Sequence, residues 1–352
     1  MSSASDTPDI TLQINLCAGD LAYGERIVSA LVAAHRDDIR EILIVADGCR
    51  PQSTPLLHAP SRFPPDEFAA RLAKLRDLCA ALEASKQVDR VVWLEPDAAR
   101  LRPLNAKYAG VATAASHDHL GHAFSAYFLG WEAARTRYVA HFDADIFIWQ
   151  APGFRWLRAA VAALAADERF LAASPRIAPP LADGRMVDVA APGSGWLPSW
   201  PLETCAAGWE SPWFSTRCHV MDRERLARVL PLRGRRPKRR DAAINQVLSP
   251  LFEQPGFSAA PPGTLGRKLA ARVPPFPLPP EVLLHQDAET RGFRCLYLGD
   301  PRAWFVHPDT KPERFPRLLP RLLRGVNERG VFPPSQRGVS GVQFGAWEEF
   351  TS

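Results

Sequence analysis

The sequence predicts an α/β fold built on a mostly parallel sheet. Over the first 150 residues, short apolar runs alternate with helical stripes. One of them, Glu41–Ala46, is rich in β-branched residues, as a buried strand is. Each of three runs stops at glycine or an acid, at Ala18-Gly19-Asp20, Asp47-Gly48 and Asp143-Ala144-Asp145. In open sheets of this kind, ligands bind beyond the carboxyl ends of the strands.

Taken in order, Thr11–Cys17 (TLQINLC) reads as a strand that ends in a turn. Gly24–His35 carries apolar residues at 27, 28, 31 and 32, a helical stripe. Glu41–Ala46 (EILIVA) is a buried strand, Phe68–Leu82 an amphipathic helix and Arg90–Leu94 (RVVWL) a third strand. Gly121–Ala134 reads as helix and Tyr138–Phe142 (YVAHF) as a fourth strand stopping at Asp143. Beyond residue 150 the pattern loosens into an irregular half. Helices are expected over Phe154–Ala166, Arg223–Val229 and Asp241–Leu248. Strands are expected over Phe170–Ser174, Phe214–Met221, Arg294–Leu298 and Ala303–His307. The chain accordingly divides into a ligand-binding half, 1–150, and a second half with a C-terminal extension, 151–352, within one unit.

Composition excludes several classes. With 46% hydrophobic and 23% charged residues, the 352-residue chain has material for a large core and is not a disordered protein. The net charge of +5 suits an anionic ligand or surface without choosing one. Its 34 prolines crowd into stretches that also carry aromatic residues, so these read as ordered loops rather than linkers. Six cysteines show no CxxC spacing, against a structural zinc site and in keeping with a reducing compartment. Met1–Asp9 is polar, without a signal-peptide core, and no apolar run reaches membrane-span length. A cytoplasmic location is expected. There is no GxGxxG, no GxxxxGK[ST] and no motif that reads nucleic acid.

Asp143 and Asp145 follow directly on a strand, and on extended chain both would face one side. Two hard carboxylates beside an open cleft bind Mg²⁺ or Mn²⁺ shared with substrate phosphates. An acidic pair after a strand is often only a solvated turn, but Ile146–Trp149 (IFIW) embeds this pair between apolar runs.

Residues 10 to about 175 resemble the family 2-type GT-A glycosyltransferases. The resemblance rests on Ile44-Val45-Ala46-Asp47-Gly48-Cys49, on Gly121-His122-Ala123, and above all on Arg137-Tyr138-Val139-Ala140-His141-Phe142-Asp143-Ala144-Asp145. Ala46 departs from the family pattern, which has an acid there. The resemblance implies a GT-A, Rossmann-like fold with a nucleotide-sugar half and an irregular acceptor half. It implies a metal-dependent hexosyltransferase moving sugar from a nucleoside-diphosphate donor to a glycan, lipid-linked or small-molecule hydroxyl. Asp47, with Asp20 and Gly48 at neighbouring strand ends, would contact the nucleotide. Asp145 would bind the metal, and Asp143 the ribose or the metal. His307, in Trp304-Phe305-Val306-His307-Pro308, resembles the histidine that completes the metal shell, with His285 as the alternative. Asp241, in Arg240-Asp241-Ala242, fits the position of an inverting general base and equally well a helix N-cap; Asp222 is its weaker rival.

Other features stand on their own residues. Trp196, Trp200, Trp209 and Trp213 offer sugar-stacking faces or core packing; Trp209 and Trp213 are the candidates for substrate contact. His117-Asp118-His119-Leu120-Gly121-His122 looks like a metal cluster but lacks a matching acid motif, so a diphosphate or sugar contact from His122 is the expectation. Arg233–Arg240 is a basic run that could meet a phosphorylated acceptor. Arg314, Arg317, Arg321 and Arg324 alternate with leucines at helical spacing, which suits either packing on the domain or peripheral contact with the anionic inner membrane face. The alternatives to sugar transfer are a nucleotidyltransferase, for which Cys17–Tyr23 lacks the cations of a phosphate loop, and a non-catalytic GT-A-like binding module.

Overall fold

The computed structural model describes residues 9–53, 57, 59–118, 121–187, 202–232, 278–309 and 311–350. Nine strands form one sheet in the order β3-β2-β1-β4-β9-β6-β10-β8-β7. They are β1 (Ile10–Cys17), β2 (Glu41–Asp47), β3 (Arg90–Leu94), β4 (Tyr138–Asp143), β6 (Phe170–Ser174), β7 (Glu203–Cys205), β8 (Gly208–Ser211), β9 (Cys218–Asp222) and β10 (Arg294–Leu298). β3, β2, β1 and β4 are mutually parallel; β9 and β8 run against the rest. The fold is thus mixed α/β with a mostly parallel sheet flanked by helices, an arrangement consistent with GT-A. A separate two-stranded ladder pairs β5 (Phe147–Gln150) with β11 (Ala303–Val306).

Every residue of β2 is buried, which explains its lack of alternation. Helix α1 (Gly24–His35) turns Ile27, Val28 and Leu31 inward, as the stripe predicts. A turn of helix, α2 (Ala59–Arg62), precedes α3 (Pro65–Ala84). The latter is longer than expected, because a proline pre-set for the first helical turn opens it. Helix α4 (Ala98–Ala109) was not anticipated. Pro103 interrupts its pattern, but Asp97 caps its start and left-handed Gly110 ends it.

The helix expected over Gly121–Ala134 is shorter, α5 (Ser125–Ala133). Asp118 captures the backbone ahead of it, accepting from His122 N–H at 2.9 Å, and Gly121 sits at φ +86. Helix α6 (Trp156–Ala166) starts two residues late, and β9 contains only the last part of the strand expected over Phe214–Met221. Helix α7 (Arg223–Val229) is capped by Asp222, whose carboxylate accepts from Glu224 N–H and Arg225 N–H. That fixes Asp222 as a structural acid, fully buried and also paired with Arg137 at 2.7 Å. Helices α8 (Pro280–Thr290), α9 (Phe315–Leu322) and α10 (Phe344–Glu349) complete the second half.

The halves on either side of residue 150 share the sheet, and one core runs through both. Helix α9 buries Phe315, Leu318, Leu319 and Leu322 in that core. Its leucine face is therefore spent on packing, while Arg314 and Arg321 bind Glu348 and the α10 backbone. No described helix is long and apolar enough to cross a membrane.

Candidate active site

The parallel register sets the floor of the site. Cys17 pairs with Asp47 and Asn15 with Asp143, so the carboxyl ends of β2, β1 and β4 lie side by side. Asp20, Asp47, Asp143 and Asp145 consequently crowd one edge of the sheet. The chain does not stay extended after Asp143. A turn closes with Ile146 N–H donating to Asp143 C=O at 3.2 Å, so the two acids face different surroundings.

Asp143 is locked. Tyr127 Oη of α5 donates to its Oδ1 at 2.7 Å, and His141 Nε2 lies 3.1 Å from the same oxygen. Burial would raise its pKa, but the His141 hydrogen bond and the Arg217 charge hold it below the usual carboxylate range. Burial and the Asp143 charge push the Tyr127 hydroxyl far up, so it stays a donor. Arg217 arrives on the chain leading into β9, its own carbonyl accepting from Asp143 N–H at 2.9 Å. Burial opposes its charge, yet Asp143 and Asp145 together keep its pKa above the ordinary value.

Asp145 is 8% exposed and meets a lysine. Lys311 Nζ lies 2.9 Å from Asp145 Oδ2 and 3.6 Å from Asp20 Oδ1. It also donates to Tyr23 Oη, which in turn donates to Asp20. Burial would lower the Lys311 pKa, but the two carboxylates carry it above the ordinary range. The other carboxylate oxygen of Asp145, Oδ1, is buried without a hydrogen-bond partner.

The β5–β11 ladder delivers His307. Phe147, two residues after Asp145, pairs with Val306, one residue before His307, which places both at the same end of the ladder. His307 is 1% exposed. Its Nδ1 has no hydrogen bond and stands 3.5 Å from Asp309 Oδ1. Burial and the Arg217 cation push its pKa down to about 4, so the ring is neutral.

Among the described residues, no three His, Cys, Asp or Glu side chains stand in a metal-holding group. Lys311 occupies one side of Asp145, and Asp143 is taken by Tyr127 and His141. The donor set nonetheless suits a hard divalent ion. Asp145 Oδ1 is an orphaned buried oxygen, and His307 Nδ1 is an orphaned nitrogen on a neutral ring.

The remaining predicted residues divide. Asp47 is 3% exposed and turned inward, accepting from Cys49 N–H at 2.8 Å and facing His117 Nε2 at 3.2 Å. Gly48 sits tight against β3, where an added Cβ would come within 3.1 Å of Leu94 C=O. His122 is exposed, with Nδ1 3.1 Å from buried Asp118; that hydrogen bond raises its pKa. His117 and His122 therefore take different carboxylates and do not form one cluster. Trp213 packs its ring 4.9 Å from the ring of His285, near the site. Trp209 does not reach it. It lies on β8, four strands from β4, roughly 19 Å across the sheet, with the Arg176 guanidinium 4.8 Å from its ring. Asp241, Trp196, Trp200, His119 and the Arg233–Arg240 run lie outside the described residues. Sequence reasoning missed Tyr127, His141, Arg217 and Lys311. Of these only His141 lay within a quoted motif.

No protein-family profile matches the chain, and no curated protein sequence does. Among solved structures it is similar to the galactosyltransferase LgtC in complex with donor and acceptor sugar analogs, at 13% identity and TM-score 0.28. It is similar likewise to an active-site mutant of LgtC, at 13% identity and TM-score 0.27. Each match covers 62% of this chain and 59% of the other, so the chain spans less than two thirds of LgtC. A likeness this distant carries no inference about activity.

Proposed function

We propose that the protein is a glycosyltransferase that takes its sugar from a nucleoside-diphosphate donor and passes it to an acceptor hydroxyl. One observation carries the reading: two cations, the half-buried Arg217 and the more exposed Lys311, face the acidic turn at the carboxyl ends of β1 and β4. A diphosphate is the ligand that such a mixture fits. Its oxygens accept from Lys311 and Arg217, as charge-assisted hydrogen bonds require. The Asp145 and His307 donors would hold a Mn²⁺ or Mg²⁺ ion. When bound, that ion supplies Lewis-acid stabilisation of the leaving diphosphate.

The chain's own groups then divide the work. Tyr127 and His141 fix Asp143, leaving its Oδ2 for a ribose hydroxyl or the ion. Lys311 and Arg217 supply fixed positive charge where negative charge grows on the leaving group, the preorganised stabilisation that contributes most in a sheltered site. Exposed His122, on the loop before α5, is available to a donor phosphate or sugar.

Titration calorimetry against UDP, GDP, CDP and dTDP, each with and without Mn²⁺, tests the reading. One nucleotide should bind, with metal dependence that disappears in Asp145→Ala while the far-UV spectrum is kept. Binding by none of the four would refute the proposal.

A further inference from the structure

Opposite the acidic turn, helix α8 sets a carboxylate that the donor site does not use. Glu281 lies in its first turn, and Thr216 Oγ1 donates to Glu281 Oε2 at 3.2 Å. Thr216 is the residue before Arg217, so this carboxylate stands beside that cation. The charged and titratable groups that face it are Asp143, Arg217, His122 and Tyr127. One helical turn on, His285 shares the Glu281 face of α8. It packs on half-buried Trp213 and stands 3.0 Å from Pro212 C=O through Nδ1. The segment 212–217 and the start of α8 thus form one wall. It offers an indole face, a carboxylate and a hydroxyl, which is the chemistry of a polyol-binding surface.

Resting on the sugar-transfer reading, we propose that Glu281 is the general base that deprotonates the acceptor hydroxyl, with Trp213 as the platform for the acceptor ring. In the step, the acceptor O–H bond breaks and its proton passes to the Glu281 carboxylate. The oxygen lone pair forms the bond to the anomeric carbon of the donor. The bond from that carbon to the phosphate oxygen breaks, and its electron pair leaves on the nucleoside diphosphate toward Lys311 and Arg217. Glu281 then returns the proton to solvent. Burial raises the Glu281 pKa above the usual carboxylate range, which makes it a stronger base than Asp143, whose pKa is held down. An acid in a first helical turn is often only a complement to the helix dipole. Glu281 differs in facing Asp143, Arg217 and His122 rather than bulk water.

The test uses the full chain with UDP-glucose, UDP-galactose, GDP-mannose and dTDP-glucose, and reads nucleoside diphosphate released to water or to added sugars. Wild type, Glu281→Gln, Glu281→Asp and Asp241→Asn are compared. The proposal expects E281Q to release about 100-fold less or worse, with nucleotide affinity within about twofold of wild type and E281D between the two. Unchanged release by E281Q, or loss confined to D241N, overturns it. So does an E281Q variant whose affinity falls as far as its rate, since Glu281 is then only structural. Wild type that binds no nucleotide overturns the sugar-transfer reading itself, a different failure.

Discussion

The two walls of the candidate site are made in opposite ways. One is the carboxyl edge of β1, β2 and β4, whose parallel register sets Asp20, Asp47 and Asp143 side by side. The other is assembled from distant chain, Arg217 before β9, His307 after β11, Lys311 beyond it and Glu281 on α8. The first wall is acidic and continuous with the core. The second brings both cations. Damage to the first wall should therefore appear as lost stability, and damage to the second as lost binding.

The largest expected effect is in acid and sets one wall against the other. His35, packed beneath the first wall against Phe142, donates Nδ1–H to Leu31 C=O and accepts from Trp156 Nε1–H at 2.8 Å. That pattern requires the neutral ring, and burial lowers the His35 pKa to about 4 from 6.5. Between those values the unfolded chain binds a proton the folded chain refuses. Stability should fall as pH drops below about 6.5 and level off below about 4, by on the order of 3 kcal/mol. His307, also pushed down to about 4, adds in the same direction from the second wall. Urea unfolding at pH 7 and pH 4.5 should show a shallower acid loss in His35→Gln than in wild type. An acid loss untouched by H35Q but removed by His307→Gln would assign it to the second wall.

Gly130→Ala is next. On α5 its Cβ would come within 2.1 Å of the Gln13 side chain. Gln13 is fully buried on β1 and donates to Asn15 Oδ1 at 3.0 Å, so it has no free direction in which to swing. Overpacking of this kind costs about 2 kcal/mol, read from the urea midpoint. Gly345 on α10 is the control, since nothing lies within 4 Å of its added Cβ. Gly345→Ala should be neutral or slightly stabilising. Equal losses in the two would show that the Gln13 contact is not what makes Gly130 intolerant of a side chain.

The same division explains what could be read from sequence. Strands β1, β2 and β4 were legible because burial leaves largely apolar runs, and their stops were marked by Gly19, Gly48 and Asp143. Helix α4 was not legible, since Pro103 and its charged residues hide the pattern. The shortened α5 turns on one side-chain contact, Asp118 to His122 N–H, that no periodicity reports. The Asp143–Asp145 pair was visible, but not its separation into two environments, because that depends on the turn at Ile146. Lys311 and Arg217 carry no local signal. Isolated cations in loops are ordinary, and only the β5–β11 ladder and the insertion of β9 beside β4 bring them to the acids. Trp209 shows the converse, a suggestive tryptophan that strand order sends to the far edge of the sheet.

The smallest effect is the most discriminating for the second wall. Lys311 is 37% exposed in its side chain, so its pairs with Asp145 and Asp20 add little net stability. Lys311→Met keeps most of the aliphatic stem and removes the charge, together with the ammonium's contact over the Tyr23 ring. Stability should then change by less than about 1 kcal/mol, while nucleotide affinity falls about tenfold and becomes less sensitive to salt. The contrary result is informative. If K311M bound nucleotide as tightly as wild type, Lys311 would serve only to neutralise Asp145. The diphosphate contact would then fall to Arg217 alone, and the second wall would owe its anion-binding character to a single half-buried cation.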